Sequence, residues 1–220
     1  MFGAPTPPNL PSGRGGNEAV DIFFMPNLNF IALPAHVKLV TVAHDLSFEH
    51  FPEFFSRKSR LWHRAINPRA LLARTDRIIA VSEHTKNDVV ETYGISQEKV
   101  SVIYPGVYHE DSQLEDLLIR KQSSNLQITQ SSYILYFGAL EPRKNIIGII
   151  EAYEKLKPHQ SLILAGLATP YAKQLKKRIA QSKSRDKIIL VENPNEAEKT
   201  AIYAAARLFV YPSFYEGFGF

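Results

Sequence analysis

The chain has 220 residues, 45% of them hydrophobic and 22% charged, with a formal net charge of +4 and an isoelectric point near 9.2. It contains no cysteine, which excludes a disulfide framework and a thiolate zinc site and suits a reducing compartment. No apolar run approaches the roughly 18 residues of a membrane-spanning helix, and the N-terminus lacks the charged-then-apolar order of a secretory signal. These features lead us to expect a globular, cytoplasmic protein. The basic balance suits contact with phosphate groups on nucleotides, nucleic acid or a lipid surface, without choosing among them.

Residues 1–19 are rich in Pro, Gly and Asn, lack a hydrophobic period, and read as an irregular N-terminal segment. Short apolar runs follow at 20–25 (VDIFFM), 38–43 (KLVTVA), 77–82 (RIIAVS) and 100–104 (VSVIY). Being continuous in Val and Ile rather than alternating, they read as buried strands. Between the second and third lies SRKSRLWHRAINPRALLARTDR, residues 56–77, with Arg57, Arg60 and Arg64 on one side and Leu61, Trp62, Ala65 and Ile66 on another. This is a basic amphipathic helix interrupted near Pro68, either an ordinary solvated surface helix or a membrane-surface contact. Between the third and fourth runs, residues 83–94 read as a helix stopped by Gly94. A polar stretch, residues 107–132, carries a short helical pattern at 114–119 and reads as a linker.

The alternation then restarts. Strand patterns at 133–138, 161–166, 187–191 and 207–213 are separated by helical ones at 145–156, 171–182 and 196–206. Alternation of this kind argues for parallel sheets with helices packed on both faces. The expected organisation is two α/β units, residues 20–106 and 133–220, each short of the usual strand count.

Ligands of open parallel sheets bind beyond the carboxyl ends of the strands. The residues following each run are therefore the candidates: His44 and Asp45; Ser82; Gly106; Gly138 with Arg143 and Lys144; and Glu216, Gly217, Phe218 and Gly219. Arg143 and Lys144 precede a helix whose N-terminal N–H groups also favour an anion, so a diphosphate would fit; the plainer alternative is a solvated basic pair. Gly217 and Gly219 are free to take positive φ and let backbone approach a ligand, with Glu216 as an acceptor for hydroxyls, although a Gly-Phe-Gly turn can be only a turn. His44 could orient a substrate or be merely structural. There is no HExxH, no dinucleotide fingerprint GxGxxG and no P-loop, so metalloprotease, dehydrogenase and NTPase readings lose their support and no metal site is expected.

In this order the stretches resemble glycosyltransferase family 4, the group 1 glycosyl transferases with two Rossmann-like domains in the GT-B arrangement. The resemblance is carried by HDLSFEHFPEFFS, by DRIIAVSEHTKNDVVETYGISQEKVSVIYPGV, by YFGALEPRKNIIGIIEAY and by AIYAAARLFVYPSFYEGFGF. It implies a retaining, metal-independent transferase that moves a sugar from a nucleotide-diphosphate sugar, GDP-mannose by the lean of EPRKN and HDLSF, to a glycan or lipid-linked acceptor. No cofactor and no nucleic acid are implied, and the enzyme would be cytoplasmic with room for peripheral contact at the inner membrane surface.

By the same resemblance Arg143 and Lys144 face the donor diphosphate and Gly138 lies beside them. Glu216, Gly217, Phe218 and Gly219 contact the transferred sugar, His44 and Asp45 lie near the reacting centre, and Ser82 and Gly106 line the cleft. Two departures stand out. Many members carry an arginine where this chain has Ala139, and the family's second glutamate would fall at position 224, beyond Phe220. The expectation is a partial, poorly active chain prone to association, with a non-catalytic sugar-nucleotide binder or scaffold as the alternative and a nucleic-acid binder ranked last.

Overall fold

A computed structural model describes residues 20–106, 132–156 and 159–219. The expected irregular segment at 1–19 and the short helix at 114–119 lie outside the described residues. Eight strands form two four-stranded sheets, each entirely parallel. This agrees with the expected fold class.

The first sheet runs β1 (Ile22–Met25), β2 (Lys38–Ala43), β3 (Arg77–Ala80) and β4 (Val100–Val102) in sequential order. Helices α1 (Ser47–His50), α2 (Arg57–Ile66), α3 (Pro68–Arg74) and α4 (Glu83–Tyr93) connect the strands. On β2 the side chains of Leu39, Thr41 and Ala43 are buried while those between are less so, as the two-residue period of a strand requires. One core joins Ala43, Leu46, Leu72, Ile78, Ala80, Val89 and Tyr93; another joins Met25, Leu39, Ile66 and Leu71. The expected break near Pro68 is present. Asn67 takes a left-handed conformation (φ 52°) between α2 and α3, and its side chain accepts from Ala70 N while Pro68 opens the new helix, a position where proline costs no hydrogen bond.

The second sheet contains β5 (Tyr133–Phe137), β6 (Leu162–Gly166), β7 (Ile188–Glu192) and β8 (Ala206–Phe209), with α5 (Ile146–Leu156), α6 (Ala172–Ala180) and α7 (Glu196–Ala204) between them. Every residue of β6 is buried, because α5 and α6 cover one face through Ile146, Ile150, Tyr153 and Leu175 while Ile202 of α7 packs on the other. The spatial order is β7-β6-β5-β8. The chain therefore builds outward from β5 in one direction and then returns to place β8 on its other side. This reversal makes the gap between β5 and β8 the topological switch point, where the connections after adjacent strands diverge and leave a crevice. The outer strands β1 and β8 carry exposed apolar side chains, Ile22 and Phe24 on one and Leu208 and Phe209 on the other.

Candidate active site at the switch point

The two segments that flank the crevice are the two richest in candidate residues. After β5 the chain passes Gly138, makes a single tight helical turn at Pro142–Lys144, and enters α5 through Asn145 in a left-handed conformation (φ 56°). After β8 it runs through Tyr211 to the turn at Tyr215–Gly219. Phe214 N donates to Arg143 O at 3.0 Å, so the backbones of the two segments are joined directly.

Their side chains form an ionic cluster. Lys144 is only 6% exposed; its Nζ lies 2.5 Å from Glu216 Oε1 and 5.0 Å from the centre of the Tyr211 ring. Arg143 donates through Nη1 to Tyr215 O at 2.8 Å and to Glu216 Oε2 at 3.3 Å. The basic pair is thus not a solvated one. Burial opposes ionisation of Glu216, but the Lys144 ammonium and the Arg143 guanidinium outweigh it and hold the carboxyl below its usual value. Gly138 brings the strand end close to two tyrosines, since an added Cβ would sit 3.0 Å from both Tyr136 Oη and Tyr211 Cε2.

The glycines of the turn differ in purpose. Gly219 has a positive φ of 75° and open space around it; Gly217 does not take a positive φ, and a Cβ there would sit 1.8 Å from the backbone oxygen of His44. Conformational freedom is therefore needed at Gly219 and close approach at Gly217. Phe218 is part-exposed, its ring centre 6.0 Å from that of Tyr104.

From the first unit, His44 follows β2 and is exposed. Its Nε2 lies 2.9 Å from Pro26 O; a carbonyl only accepts, so Nε2 carries the proton and Nδ1 is the acceptor in the neutral ring. Asp45 Oδ1 accepts from both the N–H and the hydroxyl of Ser47, at 2.9 and 2.6 Å, an Asx-type turn that leads into α1. Ser82 caps α4, accepting from Thr85 N at 3.0 Å, and its hydroxyl donates to Gly217 O. His44, Asp45, Ser82 and Gly217 are thus brought together across the two units. Gly106 is exposed beyond β4 with nothing within 4 Å of an added Cβ. Among the described residues, no group of three or more His, Asp or Glu could hold a metal ion, and no helix is long and apolar enough to cross a membrane.

Sequence reasoning missed Tyr215, Asp88, His50 and Thr85. Tyr215 donates its hydroxyl to Asp88 Oδ2, and Thr85 Oγ1 donates to Gly217 O at 3.0 Å. The available signal was Asp88 itself, an acidic residue beside the apolar Val89–Val90 pair of α4, which is where a buried carboxylate needs a partner.

The profile of Glycosyltransferase Family 4 matches residues 18–111 and that of Glycosyl transferases group 1 matches residues 119–220. The chain is 29% identical over 189 residues to the O-antigen chain mannosyltransferase B of Escherichia coli, covering 83% of this chain and 49% of that one. It is 26% identical over 222 residues to a GDP-mannose:cellobiosyl-diphosphopolyprenol alpha-mannosyltransferase of Xanthomonas oryzae, covering 96% of this chain and 55% of that one. The crystal structure of Anabaena HepE in complex with UDP and glucose superposes with a TM-score of 0.63 at 24% identity, over 82% of this chain and 48% of that one. The chain spans about half the length of these relatives. The two profiles, the relatives and the paired parallel sheets together place the chain in glycosyltransferase family 4, among the group 1 glycosyl transferases of the GT-B fold.

Proposed function

We propose that this chain belongs to a retaining glycosyltransferase that moves mannose from GDP-mannose to a hydroxyl of a glycan or lipid-linked acceptor. The observation that carries the proposal is the burial of Lys144, paired with Glu216, at the switch-point crevice. A buried ammonium is costly unless it has work to do against a negative charge, and departure of a nucleoside diphosphate creates such a charge. In this reading Lys144 and the N-terminal N–H groups of α5 receive the diphosphate, replacing water with fixed donors that need no reorganisation as the bond breaks. Glu216 accepts from hydroxyls of the hexose, Gly219 lets the backbone approach it, and His44 presents Nδ1 to the reacting sugar. The names of the two mannosyltransferase relatives support the choice of sugar, and one of them the choice of GDP. On α2, exposed Leu61 and Trp62 beside exposed Arg57, Arg60 and Arg64 support peripheral contact with an anionic membrane surface.

Calorimetric titration of the chain with GDP tests the site. Lys144→Ala removes a charge-assisted bond of about 1.5–3 kcal/mol and should weaken GDP by about ten- to a hundredfold. Glu216→Gln removes the carboxylate that competes for the same ammonium and should tighten GDP. Unchanged affinity in Lys144→Ala would remove Lys144 from the phosphate site. Binding of GDP without hydrolysis or transfer of GDP-mannose would instead favour a non-catalytic binder.

A further inference from the structure

The turn that carries Glu216 belongs to the second unit, yet the residues on either side of Glu216 are seated in the first. Tyr215 enters a socket formed by the loop after β2, the end of α1 and one face of α4. Its ring centre lies 5.5 Å from that of His50, 5.2 Å from His84 and 6.0 Å from Phe51, and Phe214 stacks on Phe54 at 5.6 Å. The floor of the socket is Asp88, 9% exposed. Its Oδ1 accepts from His50 Nε2 at 2.6 Å and from Thr92 Oγ1 at 2.8 Å, and its Oδ2 accepts from the Tyr215 hydroxyl.

The buried carboxylate is the informative feature. No Lys or Arg pairs with Asp88 among the described residues. One of its oxygens is satisfied by its own unit, and the other receives its hydrogen bond from a residue 127 positions later in the chain. A buried carboxylate oxygen left without a donor is strongly unfavourable. The first unit thus carries a site that is complete only when the second unit delivers a phenol.

We infer that Asp88 and His50 form a socket for Tyr215, and that this contact is a latch which closes the two units on each other and fixes the position of Glu216. The neighbouring bonds act in the same direction. Gly217 O accepts from Ser82 and Thr85, so Glu216 is held on both sides by residues anchored in the first unit, while Arg143 holds the Tyr215 carbonyl from the second. With the latch closed, Glu216 has one position relative to His44. With it open, the turn is tied only to its own unit and a ligand in the crevice can exchange. Tyr215 is a positioning residue here, acting on the sugar through Glu216; that consequence rests on the proposed donor site, whereas the docking does not.

Hydrogen exchange by mass spectrometry on the full chain tests the docking with Tyr215→Phe, which keeps the ring contacts and removes only the hydroxyl, and with Asp88→Asn. Each should speed exchange of residues 212–219 by about tenfold or more while α5 stays protected, and the double variant should be no faster than the worse single one, because both remove the same bond. Wild-type protection in Tyr215→Phe, or additive effects in the double variant, would overturn the latch. The positioning is read from the ratio of GDP-mannose to GDP affinity, which Tyr215→Phe should lower severalfold with GDP affinity itself unchanged. A ratio equal to wild type overturns the positioning of Glu216. Wild-type protein that binds no GDP while Tyr215→Phe still deprotects the turn would sink the donor-site reading and leave the latch standing.

Discussion

Gly217→Ala should open the two units. The ideal Cβ would lie 1.8 Å from His44 O, 2.9 Å from its carbonyl carbon and 3.0 Å from Asp45 Cβ. Ordinary carbon to oxygen contacts are about 3.3 Å or more, so the turn must withdraw by about 1.5 Å. His44 O has little room to yield, because it comes directly after the paired strand β2. The withdrawal breaks two neutral bonds to Gly217 O and the Tyr215 bond to the Asp88 carboxylate. At about 0.5–1.5 kcal/mol for each neutral bond and 1.5–3 for the charged one, the loss of docking is about 2.5–6 kcal/mol. Gly219→Ala meets nothing closer than 3.9 Å and bears only the cost of a left-handed backbone, about 1–2 kcal/mol, part of which Gly219→Asn should recover. The absence of native cysteine allows clean spin labelling at exposed Glu91 on α4 and Glu151 on α5. The distance distribution should be narrow in the parent and in Gly219→Ala and broad in Gly217→Ala. A narrow distribution in Gly217→Ala, or broadening by Gly219→Ala alone, would refute close approach as the reason for glycine at 217.

Glu154 receives both ends of the Arg178 guanidinium, at 3.0 and 2.6 Å; those bonds, with one from Ser182, pull its pKa from the ordinary 4.5 to about 2. The folded pKa is the lower one, so the pair's contribution is present above about pH 4.5 and is lost as pH falls towards 2. Carboxyl resonances should show that low midpoint, returning to the ordinary range in Arg178→Gln; an ordinary midpoint in the parent would contradict the pairing. On α2, sedimentation with phosphatidylglycerol vesicles should show binding that falls with added salt and disappears when Arg57, Arg60 and Arg64 become Gln. Failure to sediment with anionic vesicles would remove the membrane contact.

The inner strands were legible because a strand buried on both faces reads as an unbroken apolar run, as in the LILAG of β6; β1 and β8 read the same way although they are largely exposed. The ends were less so. The helical pattern at 196–206 extends to Ala206, but α7 stops at Ala204 because Ala206 pairs with Tyr133 of β5, and tertiary pairing overrides local propensity. The one-turn helix α1 follows a local turn in which Asp45 Oδ1 accepts from Ser47 N, and at four residues it is too short for periodicity to register. The sheet order could not be read at all, since the same alternation of strands and helices suits several right-handed windings.

The convergence of Arg143, Lys144 and Glu216 followed from each lying just beyond a strand, and the geometry shows how the two cations divide their roles. Glu216 pairs with both cations and Glu141 lies 3.9 Å from Arg143 Nη2, so the cluster holds no surplus positive charge to meet a diphosphate. For the proposed reaction Glu216 must therefore release a cation when the donor binds. Arg143 is not free to be that cation, because its Nη1 also holds the Tyr215 carbonyl and its backbone oxygen holds Phe214 N. Lys144 Nζ has its ion pair with Glu216 and a face of Tyr211, and an ammonium on a flexible stem can change acceptors without disturbing a backbone. In this reading Arg143 keeps the turn in place while Lys144 passes from Glu216 to phosphate, freeing the carboxylate for the sugar hydroxyls. The chain has Ala139 directly after the strand glycine and so no cation there, which leaves the phosphate charge to Lys144 and is why its substitution should outweigh that of Arg143 in donor affinity.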